Sequence, residues 1–321
     1  MKFAPIIYLI GMLLCILSLF MLVPAFVDWF YGSENWPAFV GSSISTLFVG
    51  LILFFSNKGS ATEHLELRQA FLLTNSAWIS IALFGSLPFL LSNIEMSFID
   101  AFFESTSGIT TTGATVIENL EAKSHGILIW RALLQWLGGV GIIVMALAVL
   151  PMLSIGGMQL FKTESYETPD KVVPKAASFA AGISIVYITL TVIWALMLWG
   201  AGMPMFDSIA HAMTTLATGG YSTKSESLAA FNSSTIEIII IFGMLVGSLP
   251  FVHYLTLSKN GLKNLIKDDQ VKLFLTMVLF VVLIISLYLS FNNMPYLDAL
   301  RLASFNVISI ITGTGFGTSN F

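Results

Sequence analysis

Charge and sulfur chemistry are both scarce in this chain of 321 residues. Only 10% of its residues are charged, against about 25% in soluble domains. A soluble fold could not hide an apolar content of 56% at a mean hydropathy of +0.87, so the solvent this sequence is written for is lipid. The single cysteine, Cys15, lies inside an apolar run. That excludes a disulfide framework, and with four scattered histidines it leaves no Cys/His metal cluster. The same scarcity argues against an intramembrane enzyme, which needs a nucleophile–base pair or metal ligands within its spans. The net charge is −4 and the lysines are dispersed, so no basic patch is available for nucleic acid. No covalent cofactor is expected.

What the chain has instead is long uncharged runs. The first, from Phe3 to Val27 behind Lys2, exceeds the roughly 7–15 residues of a signal-peptide apolar region, and it reads as a retained membrane helix. Further runs without Asp, Glu, Lys or Arg cover 35–57, 69–94, 132–161, 176–206, 238–258 and 273–297. Each exceeds the roughly 18 residues needed to cross a bilayer. Helix is expected throughout, because backbone amides in lipid must pair within their own segment.

A cytoplasmic N-terminus puts Lys2 and the loops 58–68, 162–175 and 259–272 inside. These hold Lys58, Arg68, Lys162, Lys171, Lys175, Lys259, Lys263, Lys267 and Lys272. Only Lys123, Arg131, Lys224 and Arg301 fall on the other side, an asymmetry that favours this orientation. Trp29, Tyr31 and Trp36 then occupy an outer loop, at the depth where interfacial aromatics gather.

Three outer segments repeat one pattern. Met96-Ser-Phe-Ile-Asp100 leads to Thr110-Thr-Thr-Gly113, Met203-Pro-Met-Phe-Asp207 leads to Ala217-Thr-Gly-Gly220, and Met294-Pro-Tyr-Leu-Asp298 leads to Thr312-Gly-Thr-Gly315. From Asp to the last Gly is 13 residues (100 to 113), 13 (207 to 220) and 17 (298 to 315). The third interval is longer by about one helical turn. The Asp, following Ser or Pro, is expected to cap a short re-entrant helix. Such a helix aims the negative end of its dipole into the membrane, toward a cation. Thr and Gly then supply what a dehydrated cation needs, namely backbone carbonyls, hydroxyls and freedom of dihedral angle. No acidic side chain lies in the three Thr/Gly stretches, which excludes a carboxylate filter.

Other features divide between site and scaffold. Glu104, His211 and Asn306 each stand nine residues before the last Gly (113 − 104, 220 − 211, 315 − 306), placed to brace the filter from behind. Arg131, near the outer end of a span, is expected to pair with Glu104 or Asp100, because an unpaired arginine there is costly. Gly138, Gly139 and Gly141 suit close helix packing. Glu118 and Glu121 can draw cations to the outer face.

The run Phe103-Glu-Ser-Thr-Ser-Gly-Ile-Thr-Thr-Thr-Gly-Ala-Thr115, followed by Trp130-Arg-Ala-Leu-Leu-Gln-Trp-Leu-Gly-Gly-Val-Gly141 and Leu150-Pro-Met-Leu-Ser-Ile-Gly-Gly-Met-Gln-Leu160, resembles the TrkH/TrkG branch of the Trk/Ktr/HKT potassium-transporter superfamily. The resemblance implies an all-α integral membrane protein of repeated span–re-entrant helix–filter–span units around a pseudo-four-fold pore. Residues 1–66 would form two N-terminal spans, 67–161 the first pore unit, 162–258 the second and 259–321 an incomplete third. The third Thr/Gly stretch stops just before Phe321, so a C-terminally truncated chain is expected, with three of four filters.

The expected function is passage of potassium through carbonyls of Thr110, Thr111, Thr112 and Gly113, of Ala217, Thr218, Gly219 and Gly220, and of Thr312, Gly313, Thr314 and Gly315. The ion itself is expected against Thr111, Thr112, Thr218, Gly219, Gly313 and Thr314. Glycine rather than serine at Gly113 implies, by the resemblance, potassium over sodium. The resemblance also implies a homodimer in the bacterial inner membrane, with a cytoplasmic nucleotide-binding regulatory subunit encoded elsewhere. A sodium-permeable or sodium-coupled porter and a non-conducting fragment are the alternatives.

Overall fold

A computed structural model describes residues 3–60, 67–153, 172–251, 253–255 and 267–318. Among these residues the secondary structure is helical throughout, with no strand. The helices are α1 (Ala4–Phe20), α2 (Leu22–Phe30), α3 (Trp36–Ser56), α4 (Leu67–Gly85), α5 (Leu87–Leu91), α6 (Phe98–Ile109), α7 (His125–Leu153), α8 (Val172–Gly200), α9 (Met205–Leu216), α10 (Ser234–Ser248), α11 (Asp269–Phe291) and α12 (Tyr296–Ile311). Among the described residues, five stretches are long and apolar enough to cross a membrane: Ala4–Phe30, Trp36–Ser56, Arg68–Leu91, Ala180–Gly200 and Asp269–Phe291. Their large apolar side chains are widely exposed, as in Phe48, Leu273 and Phe280, which is the arrangement lipid requires. Residues 162–171 and 259–266 of the loops expected inside, Lys2, and the 154–160 part of the Leu150–Leu160 motif lie outside the described residues.

The chain divides into two compact units, residues 1–110 with 114–177 and residues 111–113 with 178–321. In the first unit, α1 packs along α3, α2 packs against α3 and α7, and α6 packs against α4 and α7. Prolines interrupt two of its spans. Pro24 and Pro88 follow the turns at Met21 and Ser86, where a proline ring conflicts with the carbonyl four residues back. In the second unit, α9 packs against α10, and α12 packs against α10 and α11.

Three expectations need correction. The run 238–258 is not one span: α10 ends at Ser248, and Leu249 is extended at ψ 150°. Pro250 explains the break, because the residue before a proline is pushed out of the helical region. Trp29 and Trp36 do not lie in a loop but in α2 and α3. The first uncharged run ends at Asp28, yet the helix continues, because Asp28 is fully buried. Its carboxylate accepts from the Gly126 N–H at 2.5 Å and the Ser124 hydroxyl at 3.0 Å, capping the start of α7. Finally, Asp100, Asp207 and Asp298 are not the helix N-caps. Those positions belong to Ser97, Pro204 and Pro295, and each Asp sits in the first turn. In α6 the two residues form a reciprocal box: the Ser97 hydroxyl accepts from the Asp100 N–H and donates to its carboxylate at 2.7 Å.

Candidate functional site: three congruent Thr/Gly segments

The short helices α6, α9 and α12 run 12, 12 and 16 residues, so the extra turn read from the third repeat is helical. Each ends in a residue of the same backbone shape: Thr110 (φ −82°), Ala217 (φ −72°) and Thr312 (φ −77°). The next residue is left-handed in all three: Thr111 at φ 57°, Thr218 at 49° and Gly313 at 76°. Two residues further the chain is left-handed again, at Gly113 (80°), Gly220 (76°) and Gly315 (83°). Left-handed residues interleaved in this way turn successive peptide planes, so that N–H groups face one edge and carbonyls the other. The N–H edge is tied to the helix behind it. The Gly219 N–H donates to the Thr214 carbonyl at 2.8 Å, and that of Gly315 to the Ser309 carbonyl at 3.2 Å.

The carbonyl edges meet one another. A Cβ on Gly113 would collide with the Gly219 carbonyl oxygen and lie 3.6 Å from that of Thr314. One on Gly220 would collide with the Thr314 oxygen. Residues 111–113, 218–220 and 313–315 all belong to the second unit, so three backbones bring their oxygens to one place. Only glycine fits there, for want of space as well as for its positive φ. Sequence reasoning assigned the dihedral freedom to glycine and missed that Thr111 and Thr218 share it. A β-branched residue at positive φ is a strained outlier, and such strain gathers at functional sites.

The three positions expected to brace the Thr/Gly segments each reach the chain that follows the last Gly, by different chemistry. Glu104 is fully buried. It accepts from the Thr115 hydroxyl at 2.9 Å, from the Val116 N–H at 3.1 Å and from Arg131 Nε at 2.7 Å. Arg131 is itself only 1% exposed, and of its two candidate partners the acid found at ion-pair distance is Glu104. His211, also fully buried, places Nδ1 2.8 Å from the Asp207 carbonyl and Nε2 3.0 Å from the Ser222 hydroxyl. A carbonyl only accepts, so the proton sits on Nδ1 and Ser222 donates to Nε2. Asn306 donates to the Leu302 carbonyl at 3.0 Å and approaches the Thr318 hydroxyl at 3.4 Å. The receiving residues Thr115, Ser222 and Thr318 were not singled out from sequence. Their common place two or three positions after the last Gly was the available signal.

Further ties hold the surroundings. The Thr223 hydroxyl donates to buried Asp207 at 2.6 Å. Beyond the third Thr/Gly segment, the Gly317 N–H donates to the Ser227 hydroxyl at 3.2 Å, and the Gly317 carbonyl accepts from the Leu228 N–H at 3.1 Å. Arg301 of α12 is not left unpaired: it faces Glu237 at 3.5 Å and Asp298 at 3.6 Å and bonds the Ser234 hydroxyl. On the first unit, Glu95, Asp100, Glu118, Asn119 and Lys123 line an open cavity of about 310 Å³.

The family described as "TrkH: Cation transport protein" matches residues 36–317. The Trk system potassium uptake protein TrkH of Salmonella typhimurium is 38% identical over 326 residues, covering 100% of this chain and 67% of its own length. The Trk system potassium uptake protein TrkI of Halomonas elongata is 35% identical over 322 residues, covering 100% and 65%. The crystal structure of the potassium transporter TrkH from Vibrio parahaemolyticus superposes with a TM-score of 0.90 at 36% identity, covering 99% of this chain and 66% of that one. The chain thus spans about two thirds of the length of the relatives it matches. These relatives are transporters by name rather than enzymes. With a match over most of its length and three Thr/Gly segments of one backbone shape, this chain belongs to the TrkH family of cation transport proteins.

Proposed function

We propose that the chain passes dehydrated potassium across the bacterial inner membrane through a filter of backbone carbonyls. The observation that carries this reading is the congruence of the three segments. The same two positions are left-handed in each, although threonine fills one of them twice. Strain repeated in register argues for a demand on carbonyl direction, and a row of inward carbonyls replaces the hydration shell of a cation without fixed charge. Thr110 to Gly113, Ala217 to Gly220 and Thr312 to Gly315 supply the oxygens. The ion lies against Thr111, Thr112, Thr218, Gly219, Gly313 and Thr314. Glu104, Arg131, His211 and Asn306 brace the filter from behind. The repeats divide at 66/67, 161/162 and 258/259, and the N-terminus is cytoplasmic, by the distribution of lysine and arginine. The working assembly is a homodimer with a nucleotide-binding regulatory subunit, as the family resemblance implies.

Rubidium-86 uptake in a potassium-transport-deficient bacterial strain tests the reading. Uptake competed by potassium far more than by sodium is the expected result. Equal competition by sodium would replace potassium with a sodium-permeable path. Absence of uptake from a chain that reaches the membrane would replace transport by this chain with the non-conducting alternative.

A further inference from the structure

Two glycines outside the filter make the same contact in different units of the molecule. Gly138 of α7 faces the end of α6. A Cβ built on it would collide with the Ile109 carbonyl oxygen and lie 2.8 Å from its carbon. Gly247 of α10 faces the end of α9, where a Cβ would lie 2.8 Å from the Leu216 oxygen and 3.2 Å from its carbon. Ile109 and Leu216 are the last residues of their helices, each four before the filter glycine (113 − 109, 220 − 216). In both cases the helix that follows a filter segment presses on the final carbonyl of the short helix that precedes it. The hydrogen replacing Cβ points at that oxygen, a Cα–H···O contact of the kind that recurs between closely packed helices.

From this geometry we infer that Gly138 and Gly247 are positioning residues for the first and second filter segments, setting where each short helix ends and so how its first filter peptide is turned. The inference rests on the filter reading above. Its physical basis is the planarity of the peptide group. The Ile109 and Leu216 carbonyls share rigid planes with the N–H groups of Thr110 and Ala217, the first residues of the filter segments. Those N–H groups are already committed, that of Thr110 to the Thr106 carbonyl at 2.9 Å and that of Ala217 to the Met213 carbonyl at 3.1 Å. A methyl group at Gly138 or Gly247 has backbone in its way rather than a side chain that can swing aside. It therefore displaces the whole plane and carries the first filter carbonyl with it. Gly141 lies on the same helix as Gly138, and among the described residues an added Cβ there meets nothing within 4 Å, so it provides an internal control.

The test is thermal unfolding of the detergent-solubilised protein, expressed from its full reading frame, in potassium against sodium at equal ionic strength. An ion that binds the native filter raises Tm by mass action. Wild type and Gly141→Ala should show the same potassium-specific rise. Gly138→Ala and Gly247→Ala should lose at least half of it, with potassium affinity about tenfold weaker. Gly247→Ala is the milder change, since its Cβ needs only a small shift, and it carries the test if Gly138→Ala accumulates poorly. Retention of the full potassium-specific rise in Gly247→Ala overturns the inference. So does loss of both variants from the membrane while Gly141→Ala persists, because the contact then serves folding alone. A wild-type protein with no potassium-specific rise sinks the filter reading itself and the inference with it.

Discussion

Replacing Arg131 by methionine removes one partner of a pair in which neither side chain reaches solvent: Arg131 is 1% exposed and Glu104 is at 0%. Methionine keeps much of the apolar stem and none of the charge. Breaking a buried ion pair by removing one member costs about 3–5 kcal/mol, because the remaining charge is left uncompensated. Glu104 keeps two donors, the Thr115 hydroxyl and the Val116 N–H, which places the expected loss near the lower end, at about 3 kcal/mol. Glutamine at 104 can still accept from Thr115 and Val116 through its amide oxygen, without a charge to strand. The double variant Arg131→Met with Glu104→Gln should therefore recover about 2 kcal/mol relative to Arg131→Met alone. Chemical unfolding in detergent, run as a full double-mutant cycle beside rubidium uptake at matched membrane abundance, measures both terms. Uptake should fall in the single variant and return in part in the double. The reasoning is refuted if Arg131→Met lies within about 1 kcal/mol of wild type, or if the two substitutions are simply additive.

Other outcomes follow from the same geometry. Gly220→Ala should nearly abolish rubidium uptake while the protein still reaches the membrane, since the new methyl lands on the Thr314 carbonyl and the left-handed φ of 76° adds strain; uptake near wild type would contradict the carbonyl filter. Thr218→Gly, which copies Gly313 of the third segment, relieves about 1–2 kcal/mol of left-handed strain against about 0.5–1 kcal/mol of added chain entropy, so Tm should hold or rise slightly, and a clear fall would show that the threonine is not strained. At the start of α11, burial pushes the Asp268 carboxyl up, but the N–H groups of Val271 and Gln270 together with His253 outweigh it and hold the pKa below the ordinary 3.8. Its folded-state pKa is depressed, so this stabilisation is complete above the unfolded value and is lost as pH falls through about 4 and below. Asp268→Asn should flatten that acid limb of the Tm–pH curve, and an unchanged slope would remove Asp268 from the account.

Much of this protein could be read without coordinates wherever one-dimensional pattern has a one-dimensional cause. Uncharged runs became apolar helices because lipid leaves the backbone no other partner, and the Met…Asp…Thr/Gly repeat became three short helices, each ending in the same backbone turn. The extra turn of α12 was already present in the spacing. Local pattern misled where a distant residue took the role. Asp28 looked like the end of a run and is instead the cap of a helix about a hundred positions away. The aspartates of the repeat looked like N-caps, yet Ser97 and the two prolines hold that place. Tertiary structure alone decided which of two expected acids Arg131 pairs with, the left-handed turn at Thr111 and Thr218, and the seating of Gly138 and Gly247 on the last carbonyls of α6 and α9. Hydropathy and propensity are sums over neighbours in the chain, whereas a buried charge, a forced dihedral and a missing Cβ answer to atoms that only folding brings near.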